Sequence, residues 1–320
     1  MASELTVLGD VFLEAERYDV IHNHMGFQAL PFVNFVETPV VTTLHNALSP
    51  EPVRALFLKN AHQHYISISR YQQRLWPELH YAATIYHGID LSRFTPKFEL
   101  SGEPYLAFLG RLSPEKGPLE AIQVAQALGM KLLLAGKIDR VDQIYYESVL
   151  ASQIDGSRII YVGELAHAAK VEFLRNASAC LFPVQWPEPF GLVMIEAMAC
   201  GTPVFALRNG SVPEVIDHGV SGYVADSVEA LTTAVQGYAR FDRRLVRRKA
   251  EERFSAQRMV AEHERLYQRL VNASRRGGNL RYRSSRSFSA SLPLPLPSPL
   301  HLAPDRSVSQ YGGPAAYPAD

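Results

Sequence analysis

Two carboxylates, Glu188 and Glu196, are separated by seven residues within P-E-P-F-G-L-V-M-I-E-A-M-A-C-G-T-P (residues 187–203). Pro187 and Pro189 frame the first and keep a helix from starting around it. The apolar run from Leu192 predicts a helix, with Glu196 about one turn or more inside it. The pair therefore occupies a loop and a helix shoulder near one helix N-terminus. The unpaired amides at that terminus carry partial positive charge, which attracts phosphate. Phosphate-binding amides beside two hydroxyl-accepting carboxylates are what a nucleotide-sugar site requires.

Cations that could meet a diphosphate lie upstream. Arg111 and Lys116 follow an apolar run in F-L-G-R-L-S-P-E-K-G (residues 108–117). Such a run predicts a buried strand, and the C-terminal edge of an open α/β sheet is where ligands bind. An Arg fork and a Lys point charge there can stabilise a departing diphosphate. A solvated turn with Glu115 beside the two cations is the competing reading. His45 ends T-T-L-H-N, where a neutral imidazole can hydrogen-bond a hydroxyl. His22 and His24 flank Asn23, a spacing that raises a metal. No third ligand at a sensible spacing accompanies them, so structural hydrogen bonding is expected. Residues 240–253 are locally basic, which raises peripheral membrane association; the interleaved Asp242, Glu251 and Glu252 favour a solvated helix face.

The chain that must position these groups has 320 residues, 47% of them hydrophobic, and a formal net charge of +0. That length holds two domains, and neutrality gives no reason to expect a nucleic-acid partner. Cys180 and Cys200 sit in apolar context and read as buried thiols in a reducing compartment. No apolar run approaches the ~18 residues of a membrane span, and residues 1–10 lack the basic start of a signal peptide. A cytoplasmic location is the expectation. Short apolar runs predict strands at 20–22, 40–44, 65–68 and 84–86, then at 105–109, 131–135, 159–162, 179–183, 204–207 and 222–224. Helical patterns follow the later runs, for example at 119–128 and 168–176, which argues for a parallel sheet flanked by helices. Residues 241–271 read as one or two closing helices. From 275 to 320 the chain turns Ser-rich and holds L-P-L-P-L-P-S-P-L (residues 292–300), which predicts an unstructured tail.

The 187–203 segment resembles the E-x7-E region of family 4 glycosyltransferases, retaining enzymes of the GT-B fold. The resemblance continues through N-G-S-V-P-E-V-I (209–216) and H-G-V-S-G-Y-V (218–224). It reaches upstream to 108–117 and, more weakly, to D-V-I-H-N-H (19–24), covering roughly residues 19–270. It implies a GT-B-like α/β fold, with two Rossmann-like parallel-sheet domains facing a cleft. The expected division is an acceptor-side domain in 1–100, a nucleotide-sugar-binding domain with closing helices in 101–274, and the disordered tail in 275–320. No glycine-rich loop precedes D-V-I-H-N-H, so the first domain is expected to be incomplete, lacking its first two or so strand–helix units. Such a sheet would expose an apolar edge, which predicts a partner or self-association.

Roles also follow from the resemblance. Arg111 and Lys116 would hold the donor diphosphate. Glu196 would accept hydrogen bonds from the ribose, and Glu188 would contact sugar hydroxyls and help orient the anomeric carbon. The amides of Phe190, Gly191 and Leu192 would meet sugar or phosphate oxygens, and the base would lie against the backbone around Gly163. His45 would face the donor sugar, making His45 and Glu188 the catalytic candidates. H-G-I-D (87–90) stands where the family has N-G-x-D and marks the hinge between halves. The reaction implied is transfer of a hexose-type sugar from a nucleoside diphosphate sugar to the hydroxyl of an unspecified acceptor, with retention and without metal or cofactor. An inactive or split fragment that only binds the nucleotide sugar is the alternative.

Overall fold

A computed structural model describes residues 2–46 and 51–284; the proline-rich stretch expected to be unstructured lies outside them. The first sheet has four parallel strands in spatial order β1 (Ile21–Asn23), β2 (Val40–Leu44), β3 (His64–Ser67) and β4 (Tyr81–Thr84). Helices α1 (Ala2–Leu13), α2 (Glu51–Lys59) and α3 (Arg70–Leu75) accompany it. The second sheet is built from β5 (Tyr105–Leu109), β6 (Lys131–Ala135), β7 (Ile159–Tyr161), β8 (Ala179–Phe182), β9 (Val204–Leu207) and β10 (Gly222–Ala225), all parallel, in the order β10-β9-β8-β5-β6-β7. Between and after these strands come α4 (Pro118–Leu128), the short α5 (Gln143–Tyr145), α6 (His167–Asn176), α7 (Leu192–Ala199), α8 (Val212–Val215), α9 (Val228–Val235), α10 (Arg243–Arg253) and α11 (Ala256–Ser284). The fold is thus the α/β class with two parallel sheets.

Alternation along each strand explains why helices cover both faces. In the second sheet, Ala107, Cys180, Phe182, Val204 and Ala206 point to the face holding Leu174, Met194, Met198 and Val246 of α6, α7 and α10. Their neighbours Leu106, Phe108, Leu181 and Phe205 point to the face holding Ile122 of α4 and Leu231 of α9. Burying each such aliphatic or aromatic side chain contributes about 1.5–3 kcal/mol, and two apolar faces leave no solvent side. Cys180 and Cys200 are buried free thiols, each pushed up to about 12 by burial. No helix among the described residues is long and apolar enough to cross a membrane.

Three expectations change. The strand expected at 84–86 is β4, three residues earlier: its middle residues, Ala82 and Ala83, are too small to stand out as an apolar run, yet Tyr81 and Ala83 pair with Tyr65 and Ile66 across a bulge. The chain does not turn irregular at 275; α11 continues to Ser284. That helix also leaves the sheet it follows. Leu266 and Leu270 pack on Val41, Ile66 and Ile85, so the last helix covers one face of the first sheet, although residues to 274 were expected to close the second domain.

The outer strand β1 is less bare than expected. Val11 and Phe12 of α1 pack against Ile21, Val33 and Val40. Leu13 and Phe35 nevertheless remain 85% and 83% exposed.

The basic stretch at 240–253 turns partly inward. Arg243 is buried and donates to the carbonyls of Lys97, Ala177 and Arg175 and to Thr202. Arg247 donates to the carbonyls of Phe94 and Ala199, and Arg253 to that of Val215 and to Asp217. These three charges hold loops together, which removes them from the solvated basic face read in the sequence.

Candidate functional site

The strand order 10-9-8-5-6-7 reverses direction between β5 and β8. Loops leaving the C-terminal ends of those two strands diverge and leave a crevice, the usual ligand position in an open α/β sheet. Here β5 leads into Gly110 and Lys116, and β8 into Glu188 and Gly191. A cleft of about 230 Å³ lies between them, walled by Lys116, Glu188, Phe190, Gly191 and Leu192 from the second half and by His45 and His87 from the first.

Backbone contacts hold these loops in place. The amide of Gln185 donates to the carbonyl of Glu115 at 2.8 Å, tying the β8 loop to the β5 loop. Gly210 sits behind Glu188 at a φ of 61°, and a Cβ there would lie 2.2 Å from the Glu188 carbonyl oxygen. Only glycine meets both conditions. Ser211 completes the clamp, its amide donating to the Glu188 carbonyl at 2.9 Å and its hydroxyl to that of Phe190 at 3.0 Å. N-G-S therefore shapes the Glu188 loop, a role the sequence reading did not assign. Gly191 caps α7, so the first amides of that helix face the cleft residues.

The charges inside the cleft satisfy one another. Lys116 Nζ lies 2.7 Å from Glu188 Oε2, with the two side chains 19% and 9% exposed. Trp186 Nε1 donates to the same oxygen at 2.8 Å, and its ring lies 4.6 Å from the Lys116 ammonium. Glu188 is thus a buried carboxylate held through its Oε2 rather than an exposed loop acid.

Three of the expected residues stand outside this wall. Arg111 is 42% exposed at the side chain and pairs with Glu115 at 2.6 Å and with Asp139 at 3.6 Å. The cationic pair read in the sequence is therefore divided between two acidic neighbourhoods. Glu196, on α7, pairs with Lys170 of α6 at 2.6 Å. Gly163 lies just beyond β7, and its carbonyl accepts from the Gly136 amide at 2.9 Å. Gly136, at a φ of 143°, lets the Gly110 carbonyl come so close that a Cβ would meet it at 1.8 Å. Gly110, Gly136 and Gly163 consequently form a side-chain-free shelf running from the cleft along the sheet's edge.

His45 belongs to a group that the sequence showed only in pieces. Its Nε2 is 2.8 Å from His24 Nδ1, and its ring lies parallel to that of His87 at 5.7 Å. His22 bonds Thr43 at 2.7 Å and Tyr267 of α11 at 2.5 Å, as structural hydrogen bonding would have it. His263 of α11 stands 5.4 Å from the His22 ring. Burial, reinforced by the neighbouring imidazoles, lowers His22 to about 3 and His87 to about 4; it also lowers His24 and His45. His87, read as a hinge residue, is therefore a cleft-wall residue as well, lying edge-on to Phe190 at 5.0 Å. Among the described residues, no group of three His, Cys, Asp or Glu side chains is arranged to hold a metal ion.

Two parallel α/β sheets meeting over a cleft, with the second sheet's switch point as its floor, define a protein of the GT-B type. Residues 93–240 match the family model of glycosyl transferases group 1. It is 29% identical over 235 residues to a glycogen synthase of Mycobacterium tuberculosis, covering 64% of this chain and 56% of that one. It is likewise 29% identical over 248 residues to a D-inositol 3-phosphate glycosyltransferase of Mycolicibacterium smegmatis, with 65% and 56% covered. The chain thus spans just over half the length of these relatives. HepE of Anabaena, solved in complex with UDP, superposes with a TM-score of 0.70 at 21% identity, over 84% of this chain and 81% of that one.

Proposed function

We propose that the protein transfers a hexose from a nucleoside diphosphate sugar to an acceptor hydroxyl, with retention of anomeric configuration. The observation that carries this reading is the cleft in which Lys116, Glu188, the start of α7 and His45 face one space. A diphosphate entering there competes with Glu188 for the Lys116 ammonium. Its binding frees a carboxylate oxygen for a sugar hydroxyl, so one event prepares both groups. Arg111 supplies a second cation at the rim, and these side chains neutralise the leaving group without a metal. Gly163 and the shelf beside it offer backbone to the base, and Glu196 offers its carboxylate to the ribose. Glu188, held by Lys116 and Trp186, is poorly disposed to act as a covalent nucleophile. Retention then follows from departure and attack on the same face of the sugar. The two buried free thiols fit a reducing compartment, and we place the protein in the cytoplasm. Exposed Leu13 and Phe35 beside the first sheet support self-association there, a reading that a monodisperse monomer in light scattering would refute.

A thermal-shift panel of uridine, guanosine and adenosine diphosphate sugars tests the donor site, because a ligand that binds the native state raises its stability. Uridine diphosphate is the first probe. Calorimetry should show weaker nucleoside diphosphate binding by Glu196→Ala; unchanged affinity would remove Glu196 from the site. A second reading, binding of the donor without transfer, is favoured by the Lys116–Glu188 pair, which engages both groups with each other in this structure. Appearance of sugar label in any acceptor refutes it.

A further inference from the structure

A second cavity, of about 350 Å³, opens beside the donor cleft at the C-terminal ends of β1 and β2. Its wall includes His24, Phe27, Gln28, His45, Phe57 and Trp76. His45 lines both this cavity and the donor cleft, so a ligand seated here ends where a donor sugar begins. The floor is apolar and rigid: Phe57 and Trp76 are 6% and 3% exposed and meet edge to face at 5.5 Å. Among the described residues, none of the lining side chains is Lys, Arg, Asp or Glu. Arg54 lies over the Trp76 ring, but its charge is answered by Glu78 at 3.2 Å. A phosphate or carboxylate in this cavity would have no cation to offset its desolvation. The polar groups are uncharged: the His24–His45 pair, 2.8 Å apart and lowered toward its neutral form, the Gln28 and Asn46 amides and Thr43. The volume is near the lower end of the range of about 300–1,000 Å³ for small-molecule pockets, room for a compact ring system rather than for a polymer.

We propose that this cavity is the acceptor subsite and that it takes an uncharged hydroxylated ring compound, an aromatic or alicyclic alcohol or its glycoside. The proposal rests on the transferase reading above. The ring packs against Phe27 above the Phe57–Trp76 floor and one hydroxyl meets the His24–His45 pair. That oxygen forms a bond to the anomeric carbon as the bond from that carbon to the diphosphate oxygen breaks. The diphosphate leaves with the electron pair and receives the hydroxyl proton.

Calorimetry without donor tests the cavity independently of the donor site. 4-Nitrophenyl β-glucoside should bind, and an inositol phosphate and a maltooligosaccharide should not. Phe27→Ala, a change at a 39% exposed side chain that the fold tolerates, should weaken nitrophenyl glucoside binding about tenfold, while thermal stabilisation by nucleotide sugars stays as in the unaltered protein. Label transfer from the nucleotide sugar should follow the same order of acceptors. Failure of the nitrophenyl glucoside to bind, equal binding by Phe27→Ala, or tighter binding of the inositol phosphate or the oligosaccharide overturns the proposal and leaves the transferase reading intact. Absence of stabilisation by every nucleotide sugar overturns the transferase reading, and the assignment of an acceptor subsite with it.

Discussion

Lys116 and Glu188 are held 2.7 Å apart in a largely enclosed place, so each is the other's principal compensation for lost water. Removing one partner leaves the other charge stranded, which costs about 3–5 kcal/mol for a fully buried pair. Partial exposure here reduces that to about 2 kcal/mol. Lys116→Met should therefore lower the thermal midpoint, by about 2–4 °C per kcal/mol at this size. The double variant Lys116→Met with Glu188→Gln should recover most of that loss while binding no nucleotide sugar. Melting curves of the two single variants and the double one decide the matter; additive losses would mean the pair is not coupled. This pairing spans 72 residues and left no trace in the sequence, where Glu188 and Lys116 looked like separate contributors. Glu188, Phe190, Gly191 and Leu192 were legible because they are near neighbours in one loop and helix start. Glu115, the nearer partner of Arg111, was legible for the same reason; Asp139 and Lys170, which also meet Arg111 and Glu196, were not, because they arrive from other loops and helices.

At the scale of elements, strands were the easiest feature to read, since a strand buried on both faces is apolar at nearly every position. Contacts between the halves were the hardest. Glu214 shows why. In V-P-E-V it looks like an ordinary acid at a helix start, yet its carboxylate accepts from the amides of Arg70 and Tyr71 at 2.8 and 2.5 Å and from the Tyr86 hydroxyl at 2.9 Å. It thereby satisfies the N-terminus of α3, in the other half of the molecule, where a carboxylate also meets the positive end of the helix dipole. Nothing in local spacing announces a cap supplied from 143 residues away. Glu214→Ala should cost about 1–3 kcal/mol, the penalty for leaving such donors without their acceptor. Hydrogen exchange should accelerate at the Arg70 and Tyr71 amides, and no change in their protection would show that the halves are held together by other contacts.

For the whole molecule, the chain path matters more than either sheet. After completing the second half it returns through the Ile89–Ser255 bridge into α11, which brings His263 and Tyr267 against His22 on the first sheet. Imidazoles from β1, the end of β2, the hinge and α11 are thus collected at one junction, and the enclosure of His22 and His87 makes that junction sensitive to acid. His22 and His87, lowered to about 3 and 4 in the folded protein, titrate near 6.5 once unfolded. Between those values the unfolded chain binds more protons than the folded one, so stability falls as pH falls from about 6.5 toward 4 and is unaffected by these groups above about 7. The thermal midpoint should accordingly decline between pH 7 and pH 5. Carboxylates with shifted values add their own slope, so the informative quantity is a difference between proteins. His87→Asn, which restores the turn residue of the resembling family, should flatten the decline, because one of the most displaced groups is gone. Melting both proteins across pH 5–7.5 measures this. Parallel curves would show that His87 binds its proton equally well in the folded and unfolded states, and that its place in the cleft wall does not disfavour the imidazolium.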